Sequence, residues 1–238
     1  MKFITPETKR FLTAGKSGVV YEIDSDCVVK EYHDADACWT EHVVYKRLGP
    51  HCNIAEVIKM RTGGSIILER GTPPRSICRS PTVNEIPIKT KVQWLRHAAQ
   101  GYQYLHTLDI IHSNVGSHNL ILTRQNCTRL IDFEGCGVDG GPAGYCYEWV
   151  SHRPSVPRVS ISTDIFAFGC LIYEILTGKP PHYEHQASDD QVEKLYTNQP
   201  FPDITNLTLG RLIQRCWHGK VGSMSEIITE LEAFPPLR

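Results

Sequence analysis

The 238-residue sequence has no CxxC pair, no internal repeat, no long apolar run and no excess of one charge. Each absence excludes something. Its nine cysteines stand singly (27, 38, 52, 78, 127, 136, 146, 170 and 216), which argues against a disulfide framework and for thiols kept reduced in the cytosol or nucleus. Lys and Arg number 25 against 26 Asp and Glu, a formal net charge of −1, so there is no basic field to recruit nucleic acid or anionic lipid. The opening stretch MKFITPETKRFL lacks the apolar core of a signal peptide, so a chain that is not secreted is expected. The longest apolar stretch, from Ile161 to Leu176, contains Asp164 and Glu174 and is too short to span a bilayer. It reads as a buried core helix.

What is present suits one large domain or two lobes sharing a cleft, with apolar residues enough for a core. Residues 11–32 alternate apolar and polar around Gly15 and Gly18 and turn again at Asp24-Ser25-Asp26, the pattern of β-branched strands joined by tight turns. Residues 36–48 change to helical period, with Trp39, Val43, Val44 and Leu48 on one side. Ile66-Ile67-Leu68 is a short strand. The segment 72–88 holds four prolines and reads as a loop or linker. Further helices are predicted over 89–107, 161–177, 188–197, 206–217 and 223–233, with short strands at 120–122 and 129–131. Residues 136–160, rich in Gly, Pro and Ser, read as a mobile loop. A small β-rich part therefore precedes a larger helical part, with the boundary near 70–88.

The most informative stretch is His112-Ser113-Asn114-Val115-Gly116-Ser117-His118-Asn119, followed by Asp132-Phe133-Glu134-Gly135. Upstream lie Thr13-Ala14-Gly15-Lys16-Ser17-Gly18-Val19-Val20, then Val28-Val29-Lys30, then Glu41. Downstream lie Thr163-Asp164-Ile165-Phe166-Ala167-Phe168-Gly169 and Cys216-Trp217. In this order the chain resembles the eukaryotic protein kinase domain over nearly its whole length, from about Phe11 to about Ala233. The resemblance implies an α+β, bilobal fold forming a single unit over 1–238, with an N-lobe of about 1–71 and a C-lobe of about 89–238.

It also implies a set of roles. Gly15 and Gly18 would close over phosphates, and Lys30, paired with Glu41, would hold the α- and β-phosphates. Glu69 would lie in the hinge whose backbone bonds adenine, with Val20, Val28 and Ile121 sandwiching the ring. Asn119 and Asp132 would chelate Mg2+ on the phosphates of ATP. Asp164 would anchor the backbone of the catalytic loop.

Several positions depart from the family's pattern. Asn114 stands where the catalytic aspartate belongs, and an amide has no useful basicity; loss of a general base costs roughly 10²–10⁴-fold. Gly116 stands where a lysine would neutralise γ-phosphate charge, a loss worth on the order of 10²–10³-fold by analogy with other electrostatic stabilisers. Ser113 replaces the arginine that grips a phosphorylated activation loop, and Glu134 replaces the glycine of D-F-G, adding a carboxylate beside the metal site. No A-P-E motif is present; its glutamate position holds His152. Three readings remain open at this point. One is a nucleotide-binding pseudokinase acting through an unidentified protein partner. Another is a working Ser/Thr or Tyr protein kinase that tolerates Asn114. The third is a small-molecule kinase of the aminoglycoside or choline type. A nucleic-acid or membrane partner is not expected.

Overall fold

The computed structural model describes residues 9–61, 63–80, 83, 85–144, 147–151, 157–183 and 201–234. The N-terminal part is a five-stranded antiparallel sheet in the order β1-β2-β3-β5-β4. Its strands are β1 (Arg10–Ala14), β2 (Gly18–Glu22), β3 (Cys27–Tyr32), β4 (Val57–Arg61) and β5 (Ser65–Glu69). At the β1–β2 turn the chain comes close to β3: a Cβ on Gly18 would lie 2.3 Å from the Glu31 carbonyl oxygen, so glycine is required there. β4 falls where the sequence shows no strand period.

Helix α1 (Ala35–Leu48) crosses this sheet, starting at Asp34, whose side chain accepts from the Asp36 N–H, and ending at Gly49 with φ of 59°. Its buried face is Cys38, Glu41, Val44, Tyr45 and Leu48. Trp39, expected on that face, is 68% exposed. The physical reason is Glu41: a carboxylate sits at a fully buried position, so the apolar pattern alone points to the wrong side.

The C-terminal part is helical. Helix α3 (Ile88–Thr107) and helix α4 (Ile161–Thr177) form its centre, followed by helices Gly210–Trp217 and Met224–Glu232. Ser160 and Thr163 close a reciprocal capping box at the start of α4. A short helix α2 (Pro74–Cys78) stands inside the segment read from sequence as a loop; Pro74 occupies its first turn, where the missing N–H costs nothing. Two small ribbons complete this part: β6 (Ile110–Ile111) with β9 (Gly137–Val138), and β7 (Leu120–Leu122) with β8 (Thr128–Leu130).

Cys136, Gly137, Tyr147 and Val150 are buried while 139–142, Gly144 and 157–158 are exposed, so only parts of the described portion of 136–160 are built into the core. The predicted helix 188–197 and His152 lie outside the described residues. The core includes Leu95, Tyr102, Leu105, Phe168, Ile172 and Trp217, all at or below 1% exposure. No helix among the described residues is long and apolar enough to cross a membrane. The eight described cysteines are free thiols.

Candidate active site

A cleft of about 840 Å³ opens between the two parts, within the range of small-molecule sites. Its roof is the β1–β2 turn with Gly15, Gly18 and Val20, plus Val28 of β3; its floor carries Ile121; Glu69 to Thr72 form its rear edge. The Glu69 side chain itself is engaged elsewhere, accepting from Arg129 at 2.6 Å and from the Glu56 N–H at 2.8 Å. The Glu69 N–H is engaged too, donating to the Glu56 carbonyl at 3.0 Å.

At the deep end of the cleft stands Lys30. Strand alternation turns it inward while its neighbour Val29 packs into the sheet. Its ammonium bonds Glu41 at 2.7 Å, Glu134 at 2.7 Å, and Asp132. Burial pulls this ammonium's pKa down, but Glu41, Asp132 and Glu134 outweigh it and hold Lys30 above its usual value. Burial pushes Asp132 up, and the attraction of Lys30 overcomes that to leave it below its usual range. Glu134 goes the other way: burial and the charge of Asp132 hold its carboxyl above the usual value despite Lys30.

Glu41 ties three pieces together. Besides Lys30 it accepts from the Tyr32 hydroxyl at 2.7 Å and from the Phe133 N–H at 3.2 Å. Phe133 is fully buried, edge-on to Tyr45 at 4.9 Å and to His112 at 5.4 Å. Asp132, with φ of 70°, thus turns back toward Lys30 while Phe133 inserts beneath α1. That arrangement needs both the strand–helix ion pair and the inward ring.

The loop 112–119 is held from below by Asp164, which is completely buried. Its carboxylate accepts from the N–H groups of His112 (3.0 Å) and Ser113 (3.1 Å), from the Tyr147 hydroxyl (2.5 Å) and from His106 (3.0 Å). Burial raises its pKa, but these partners, His106 first, leave it below the usual value. Ser113, with φ of 61°, donates its hydroxyl to the Gly135 carbonyl at 2.5 Å. This replaces a long charged side chain by a short clamp on the segment after Phe133.

Within the loop, Asn119 donates from Nδ2 to the main-chain oxygen of Asn114 at 2.8 Å, which leaves its side-chain oxygen as an acceptor on the cleft wall. With the Asp132 carboxylate this makes a pair of hard oxygen donors, the donor set Mg2+ takes when it also binds phosphate. Lys30, Asn119 and Asp132 therefore fit a metal–nucleotide complex, while Glu134 holds the Lys30 ammonium that the phosphates would need.

The residue that sequence reading missed is His118. Its Nε2 lies 3.0 Å from Asn114 Oδ1 and its Nδ1 3.7 Å from Glu148. Arg75 of α2 grips Glu148 with two bonds of 2.6 Å and also donates to Ser117 at 3.0 Å. A Cβ on residue 116 would fall 2.4 Å from the His118 ring, so the imidazole fills the volume beside Gly116. Burial, against the pull of Glu148, pushes this imidazole down to about 4, so the ring is neutral near pH 7. It occupies space without supplying a cation.

Curated relatives resemble the chain at low identity. "Putative serine/threonine-protein kinase/receptor R831" of Acanthamoeba polyphaga mimivirus is 26% identical over 168 residues, 66% of this chain and 10% of the relative. "Mitogen-activated protein kinase kinase kinase 3" of Arabidopsis thaliana is 27% identical over 157 residues, 60% of this chain and 24% of the relative. "Inactive serine/threonine-protein kinase PLK5" of Mus musculus is 33% identical over 96 residues, 37% of this chain and 16% of the relative. The chain thus spans a quarter or less of the length of these relatives. The family model described as protein tyrosine and serine/threonine kinase matches residues 17–231, and with its β-sheet N-terminal part, its helical C-terminal part and the cleft between them the chain belongs to that family.

Proposed function

We propose that this chain binds ATP with Mg2+ in its cleft and acts chiefly through contacts with a protein partner, phosphoryl transfer to Ser, Thr or Tyr hydroxyls being weak or lost. The observation that carries this reading is Asn114. At the position where a carboxylate would orient and deprotonate the acceptor hydroxyl there is an amide, tied to His118 at 3.0 Å and beside a bare Gly116. In this reading Lys30, held by Glu41, takes the α- and β-phosphates, and Asn119 with Asp132 holds the metal. Gly15, Gly18, Val20, Val28, Ile121 and the backbone of Glu69 enclose the nucleotide. The chain works as one two-lobed unit over 1–238, and its free thiols suit a reducing compartment, cytoplasmic or nuclear.

A working protein kinase is the second reading, favoured by the Lys30–Glu41 pair and the buried Phe133. The relatives' names include both kinases and one kinase called inactive.

A thermal melt with and without ATP and Mg2+ tests nucleotide binding. At 100 times the dissociation constant a ligand adds about 2.7 kcal/mol of stability. For a domain of this size that raises Tm by roughly 5–10 °C. No shift at millimolar ATP with Mg2+ contradicts the reading. Steady phosphorylation of a protein substrate at roughly 1–100 s⁻¹, the ordinary range of kinases, favours the second reading over the first.

A further inference from the structure

Glu134 does more than crowd the metal site. Its Oε2 receives two donors at once: the ammonium of Lys30 at 2.7 Å and the hydroxyl of Ser17, which sits in the turn between β1 and β2. Ser17 is 8% exposed and the Glu134 side chain 15%. One carboxylate therefore joins the roof of the cleft to its floor, across 117 residues of sequence. The proposed reading asks this roof turn and Lys30 to hold phosphate oxygens. In this structure the Glu134 carboxylate oxygen holds them.

The charges reinforce the geometry. Among the described residues, Lys30 is the one ammonium paired with three carboxylates, Glu41, Asp132 and Glu134, whose oxygens lie within 4.8 Å of one another. A polyphosphate entering alone meets like charge and must break both Glu134 bonds. A polyphosphate carrying a divalent cation brings a new partner for the displaced carboxylate.

We propose that Glu134 is a specificity-determining residue of the cleft: it occupies the phosphate position when no ligand is bound and admits nucleotide only as the divalent-cation complex. This rests on the nucleotide-binding reading above. Replacing it with glutamine keeps the shape and removes the charge. Replacing it with glycine removes the bridge as well.

The test is calorimetric titration of the full chain with ATP, in Mg2+ and in excess chelator, for the wild type, Glu134→Gln and Glu134→Gly. A melt of each variant verifies folding. Removing one charge at contact distance in a partly solvated site is expected to tighten metal-free ATP binding at least about tenfold. Binding of ATP with Mg2+ is expected to move less, so the ratio of the two affinities collapses in both variants. An unchanged ratio, with ATP still bound in Mg2+, overturns the role of Glu134 and leaves the nucleotide reading intact. Absence of binding by every variant in either buffer overturns both.

A second readout needs no nucleotide. Ser17→Ala and Glu134→Gly, singly and together, are melted without ligand. The bridge makes their Tm changes non-additive, the double variant falling less than the sum of the singles. Strict additivity overturns the bridge.

Discussion

The change Lys30→Met is expected to do more than weaken the proposed ATP binding; it removes the shared counter-charge of three clustered carboxylates. Methionine nearly matches the lysine stem in volume, so no large cavity is created. The cost is electrostatic. The Lys30 side chain is 9% exposed and is the common counter-charge of Glu41, Asp132 and Glu134, whose side chains are 0%, 29% and 15% exposed. Removing one partner of a buried pair costs about 3–5 kcal/mol, because the remaining charge is left desolvated. At about 2–4 °C per kcal/mol, the ligand-free melting temperature should fall by roughly 6–20 °C at pH 7.

The pH dependence carries a sign. Glu134 is already held above the usual glutamate value, and loss of Lys30 raises it further, so the folded variant keeps a proton that the unfolded chain releases. The deficit is therefore smallest at acid pH, below the ordinary glutamate value, and grows as pH rises through the folded value. The assay is a series of melts across pH for wild type, Lys30→Met and Lys30→Met with Glu134→Gln, the last expected to recover part of the loss. A Lys30→Met melting temperature equal to that of the wild type at pH 7 refutes the reasoning, as does a deficit that grows toward acid.

Asp164→Ala strands the buried N–H groups of His112 and Ser113 at about 1–3 kcal/mol each, so unfolding by urea should begin at markedly lower concentration. Because the folded pKa of Asp164 is depressed, its contribution is present above the ordinary aspartate value and disappears as pH falls through the folded one; urea midpoints measured across acid pH should show this in the wild type and not in the variant. Gly116→Lys, the obvious repair of the catalytic loop, should destabilise by about 1–3 kcal/mol because its Cβ meets the His118 ring, and adding His118→Ala should relieve the loss in a melt. Equal melting of Gly116→Lys and wild type would show that the ring is not fixed there.

The parts of the site read from sequence are those whose signal is local. The spacing from His112 to Asn119 and on to Asp132 lies within one stretch of chain, and Lys30 is what the family resemblance implies from its place in Val28-Val29-Lys30 after Gly15 and Gly18. Contacts made across the fold gave no such signal. Ser17 and Glu134 meet only because the β1–β2 turn folds over the cleft. His118 reaches Asn114 through a single 3-10 turn, Ser117–Asn119, which periodicity does not announce. The same limit explains α1, whose buried face includes a carboxylate that only Lys30, the Tyr32 hydroxyl and the Phe133 N–H make tolerable. Helix α2 was hidden by the prolines that permit its start, and β4, Val-Ile-Lys-Met-Arg, by two charges on a half-exposed strand.

The central claim is that an amide at position 114 limits phosphoryl transfer in a cleft otherwise assembled around Lys30, Asn119 and Asp132. Single-turnover transfer from ATP with Mg2+ to a generic protein substrate, comparing wild type with Asn114→Asp, tests it most directly. Restoring the carboxylate is expected to raise the rate at least about tenfold. An unchanged rate, or a wild-type rate already in the range of ordinary kinases, would contradict it.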